Sequence, residues 1–103
     1  MKRAAPGGEG YVMNHLSKKA VKNYLSRFDR AFKSSKTSYP HTFFNDSYEV
    51  YQADWTDDFL EQFARRRGYK LEEHFPEFLD KNRPEVSRRI VSDYRETISD
   101  LLL

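Results

Sequence analysis

The chain has 103 residues, of which 38% are hydrophobic, 16% aromatic and 33% charged, and its net charge is +2. That allows one domain at most, and the aromatic area takes the composition out of the disordered class. The lack of cysteine excludes disulfides and thiolate metal sites, no apolar run approaches the ~18 residues of a membrane span, and no apolar segment follows Lys2 and Arg3 as a secretion signal requires.

The small net charge hides an asymmetry. Residues 1–40 carry nine Lys or Arg against two acids, a balance of +7, whereas residues 41–103 carry nine bases against fourteen acids, a balance of −5. A basic block of this kind is either a nucleic-acid patch or, more commonly, the solvated face of a helix.

Residues 1–16, opening on "MKRAAPGGEG", read as irregular chain. From Ser17, a plausible N-cap, a helical period places Leu16, Ala20, Val21, Tyr24, Leu25, Phe28 and Phe32 on one stripe, and the helix is expected to reach about Lys33. "SSKTSYPH" is a polar loop in which Pro40 keeps Tyr39 extended. Residues 42–51 read as a strand, of central type because both faces carry bulky side chains.

A punctuated helix follows. Thr56 is its expected N-cap, Asp57 and Asp58 sit at the positive end of the dipole, Arg65 to Arg67 at the negative end, and Gly68 supplies the left-handed stop. Trp55 and Leu60 are placed to form a hydrophobic staple. A short helix over residues 71–80 restarts at Pro76, and Pro84 opens a long last helix whose buried face runs from Val86 through Ile90, Tyr94 and Ile98 to Leu101. A lone central-type strand and a helix ending on three leucines leave backbone groups and apolar surface unpartnered. The chain therefore reads as a single unit of helix–strand–helix–helix–helix over residues 17–103, cut from a larger α/β protein.

Within the strand, Phe43, Asn45, Ser47 and Glu49 share one face, with Asp46 and Tyr48 on the other. A carboxylate near a strand's C-terminal end, as Glu49 is, can act as acid, base, nucleophile or cation ligand. The plain alternative is an ion pair or cap, and for Asp46 and Asp54 it is loop hydrogen bonding. His15, His41 and His74 show no metal spacing, and "GGEG" is too short for a phosphate loop.

Several stretches together resemble glycoside hydrolase family 106, the α-L-rhamnosidases: "KRAAPGGEG", "NHLSKKAVKNYLSRFDRAF", "FFNDSYEVYQADWTDDFLEQFARRRGYKL" and "DYRETISDLLL". The most specific feature is the order Asp46-Ser47-Tyr48-Glu49, Trp55-Thr56, Arg66-Arg67-Gly68-Tyr69, then Asp93-Tyr94-Arg95 and Thr97. The resemblance implies an α/β fold, a helix-rich fragment of a (β/α)8 barrel with about four helices and one clear strand. It implies an inverting, calcium-dependent bacterial enzyme, secreted or periplasmic, that cleaves rhamnose-containing glycans. Glu49 would be the catalytic acid or a close partner of it, with Asp46 and Trp55 at the sugar-binding site. The second carboxylate and the calcium ligands are not identifiable in this chain, so the isolated chain is expected to be inactive. Neither nucleic acid nor a membrane is expected as a partner of such an enzyme. The rival readings are a free-standing helical module that binds a partner or nucleic acid through its basic first helix, and a self-associating remnant.

Overall fold

The computed structural model describes residues 4–44, 52–80 and 82–102. Four α-helices form: α1 (Lys18–Ser35), α2 (Phe59–Arg67), α3 (Phe75–Leu79) and α4 (Pro84–Leu101), with a 3-10 turn over Leu71–His74 leading into α3. The α/β expectation is overturned, because no strand is present among the described residues. Residues 42–44, which open the expected strand, are irregular, and Phe43 and Phe44 are more than four-fifths exposed. The physical reason is pairing. A strand's N–H and C=O groups need a neighbouring strand, and the described residues supply none. Residues 45–51 of the expected strand lie outside the described residues.

Local chemistry explains where the helices begin and end. Ser17 caps α1, its Oγ accepting from the Ala20 N–H at 3.2 Å. At the other end Lys36 turns left-handed, and its N–H and that of Thr37 close onto carbonyls of the last turn. Gly68 ends α2 at φ 79°, with its N–H on the Ala64 carbonyl at 2.9 Å, a conformation a Cβ would strain. Pro84 occupies the first turn of α4, where its missing N–H costs nothing.

The start of α2 differs from expectation. Asp58, not Thr56, holds the cap position, and its carboxylate accepts from the Gln62 side chain at 2.7 Å instead of capping a backbone N–H. Thr56 is 2% exposed, with its carbonyl accepting from the Phe59 N–H and its hydroxyl accepting from Asn14 Nδ2 at 3.3 Å. Thr56 lies two residues before the cap position, and its hydroxyl is turned to Asn14. Just before α2 the Trp55 ring packs on Phe59, at 4.7 Å between ring centroids.

The core is small and aromatic. Phe59, Phe63, Leu71 and Ile90 are buried, with Tyr69, Phe78, Tyr94, Ile98 and Leu101 packed around them. The rings of Phe63 and Tyr69 meet edge to face at 5.0 Å, a favoured aromatic geometry. Apart from Tyr69, in the connection after α2, this core belongs to α2, the 3-10 turn, α3 and α4. The first helix buries none of its residues and extends away, which is why the radius of gyration is 18.2 Å where a compact chain of this length has about 13 Å.

Tyr69 connects this core to α4, its hydroxyl donating to Asp93 at 2.8 Å. Burial first, then the Asp93 carboxylate, push its pKa from 10.0 up to about 12. Because the folded value lies above the unfolded one, the stabilisation is complete below pH ~10 and is lost as pH rises through ~12. Melting temperature should accordingly fall steeply across that window, and the fall should be shallower in Tyr69→Phe; equal slopes in circular-dichroism melts would refute the linkage.

Candidate functional site

Glu49 and Asp46 lie outside the described residues, so the site is described through the segment that leaves them. The chain comes out of residue 51 through Gln52, a non-glycine residue at φ 62°, which turns it sharply toward α2. It is then held at three successive residues. The Tyr94 hydroxyl donates to the Asp54 carbonyl, the Trp55 ring lies on Phe59, and Thr56 is pinned by Asn14. Asn14 works at both ends, since its Oδ1 also accepts from the Leu16 N–H at 3.0 Å.

Behind these contacts stands a ladder of rings. Trp55 rests on Phe59, Phe59 meets Tyr94 at 5.2 Å, and Tyr94 meets Phe78 at 5.5 Å. Burial, and secondarily the Asp54 charge, raise the Tyr94 pKa, so its hydroxyl stays protonated and able to donate at neutral pH. Trp55 keeps 46% of its surface open, so one side of the indole is anchored while the other faces solvent. An aromatic face held this way can pack against an apolar ring substituent or a sugar face.

Sequence reasoning had placed Tyr94 on a buried stripe without assigning it a partner. The available signal was general: a tyrosine on an apolar face carries a hydroxyl that has to be satisfied. Asn14 gave no signal at all, because its partner lies 42 residues away.

A cleft of about 380 Å³ opens where the root of α1 meets α2 and the end of α4, lined among others by Lys18, Asp58, Arg65, Arg66 and Asp100. Gln62 bridges its charges, accepting from Arg65 (2.6 Å) and Arg66 and donating to Asp58. Arg66 also lies 3.9 Å from Asp100. His74 sits elsewhere, its ring edge-on to Tyr69 and Nδ1 3.9 Å from Glu77. Among the described residues no three His, Asp or Glu side chains converge as a metal site requires.

Comparison with known proteins agrees with the motifs. The family model described as alpha-L-rhamnosidase, glycoside hydrolase family 106, matches residues 2–103. A curated protein of Formosa agariphila named "Putative beta-glucuronidase" is 32% identical over 105 residues, covering 96% of this chain and 9% of that protein. The chain thus spans about a tenth of the length of that relative. No solved structure matches it. The chain belongs to glycoside hydrolase family 106.

Proposed function

We propose, from membership of this family, that the chain forms part of a longer secreted or periplasmic glycoside hydrolase acting on rhamnose-containing glycans, with Glu49 as its catalytic acid. The observation that carries the reading is the family match across residues 2–103, which includes the Asp46-Ser47-Tyr48-Glu49 run. The anchoring of residues 54–56 fits it. A carboxylate that must meet a glycosidic oxygen needs a fixed exit on its chain, and Tyr94, Phe59 and Asn14 provide one a few residues downstream.

Hydrolysis with inversion requires one carboxyl group to protonate the leaving oxygen. A second, roughly 6.5–9.5 Å away, activates a water on the opposite face of the sugar. Glu49 would take the first role, Asp46 would bind substrate, and Trp55 would offer its open face to the sugar. The second carboxylate would come from polypeptide beyond these residues, and the 103-residue chain alone would not turn over substrate. Calcium would belong to that longer protein, and no step here is routed through it.

The test uses the protein at its native length, with p-nitrophenyl α-L-rhamnoside and p-nitrophenyl β-D-glucuronide as substrates. Hydrolysis of the rhamnoside with first release of the inverted anomer by NMR is the expected result. On an alkyl rhamnoside, whose leaving oxygen needs a proton, Glu49→Gln should then lower kcat by at least about 100-fold, the lower end for general acid catalysis, with an unchanged circular-dichroism spectrum. Cleavage of the glucuronide alone would overturn the sugar assignment, and a Glu49→Gln protein active on the alkyl rhamnoside would overturn the residue.

A further inference from the structure

The first helix carries a surface that the rest of the described chain does not use. Tyr24, Leu25, Phe28 and Phe32 follow one another at helical spacing, each of the first three about half exposed, and no residue of α1 is buried. With Tyr39 and Phe43 from the following loop they line an apolar groove of about 470 Å³. The rings are already ordered among themselves, with Tyr24 against Phe28 at 5.3 Å and Phe32 against Tyr39 at 5.5 Å. An amphipathic helix of this kind owes its stability to burial of its stripe, since 18 residues are barely enough for a helix in water.

Charge narrows what can cover it. Within α1 there are six Lys or Arg against Asp29 alone, and that aspartate is already engaged by Lys33 at 2.8 Å and the Tyr39 hydroxyl at 2.6 Å. Lys18 and Lys19 occupy the first turn, which has no acid, so they oppose the helix dipole. Two α1 helices brought face to face would repel, whereas a surface carrying carboxylates would relieve both mismatches. The remaining argument is length. The 103 residues cover 9% of the Formosa agariphila relative, so a protein of that size supplies abundant polypeptide for the purpose.

We propose that the Tyr24–Leu25–Phe28–Phe32 face of α1 is an internal docking surface, seated on an apolar, carboxylate-rimmed region of the same long polypeptide outside these 103 residues. The contact is made by aromatic side chains in the groove, and its register is set by the flanking lysines and arginines. The inference rests on family membership and relative length and not on the rhamnosidase assignment, so either can fail without the other.

A photoreactive benzoylphenylalanine placed at position 28 of the protein at its native length tests it. Irradiation followed by peptide mass spectrometry should give a cross-link to sequence outside residues 1–103, with acidic residues flanking the attachment point. Cross-links between two copies, cross-links only to α2–α4, attachment to solvent alone, or protection by added L-rhamnose would each overturn the proposal. A charge reversal on the flank, Lys22→Glu, is the second arm. It should reduce the yield of that same cross-link severalfold, while an unchanged yield would remove the carboxylate rim from the proposal.

Discussion

Phe63→Ala should lower the unfolding free energy by about 3–5 kcal/mol, the usual cost of emptying a fully buried phenylalanine site. Phe63 has no exposed surface and sits between Phe59, at 6.2 Å, and Tyr69, at 5.0 Å. Among the described residues Phe59, Leu71 and Ile90 share the cluster of buried residues, with partly buried side chains such as Tyr69, Tyr94 and Ile98 packed against it. Since whole domains are stable by only about 5–15 kcal/mol, the loss should remove a large share of the stability margin. Urea titration followed by circular dichroism would read this directly, and a loss below ~1 kcal/mol would mean that α2 and α4 are not held together by this cluster.

Arg67→Ala is expected to cost about 2 kcal/mol, in the range of a hydrogen bond to a charged group. The side chain is 14% exposed and its guanidinium serves three partners on α4: Nε donates to Thr97 Oγ1 at 3.0 Å, one terminal nitrogen lies 3.0 Å from Glu96, and the other meets Asp100. Glu96 and Asp100 are 60% and 41% exposed, so water screens much of the charge energy and the estimate stays below that of a fully buried pair. Thr97 sets the minimum. It is fully buried, its hydroxyl donates to the Asp93 carbonyl at 2.7 Å, and removing Arg67 leaves that oxygen without its donor. Arg67→Lys should recover less than half, because an ammonium cannot span the three acceptors as the planar fork does. A full recovery by lysine would mean that charge alone matters.

These two residues also show what was legible in the chain and what was not. Signals contained within a few residues came through: Ser17 as a cap, Gly68 as a left-handed stop, Pro84 at a helix start, and Phe59 and Phe63 on a buried stripe. The "RRR" run was read as compensation for the helix dipole, which holds for its position in the last turn of α2. It gave no hint that Arg67 reaches back to α4, although acids at 93, 96 and 100 on one helical face were a readable signal for a cationic partner. Thr56 failed as a cap, lying two residues before that position, and its partner Asn14 is far away in sequence. Among the described residues the strand was the largest error. Aromatic and β-branched density over residues 42–51 describes a side-chain preference, but a strand exists only when another strand pairs with it, and that information is not local. Of the three proposed site residues only Trp55 lies among the described residues, where its ring packs on Phe59.

The Asn14–Thr56 hydrogen bond closes a ring of chain containing both α1 and the Glu49 segment. Closing a ring of chain 42 residues long costs about 3 kcal/mol of entropy. A 3.3 Å hydrogen bond returns about 1 kcal/mol at best, and burial of Leu16, 2% exposed beside it, contributes about 1.5–3 kcal/mol more. Cost and return nearly cancel, so this clasp is poised near its opening point. Any contact that steadies α1 therefore also tightens the backbone at Thr56, and through it the approach to Glu49, without touching either residue.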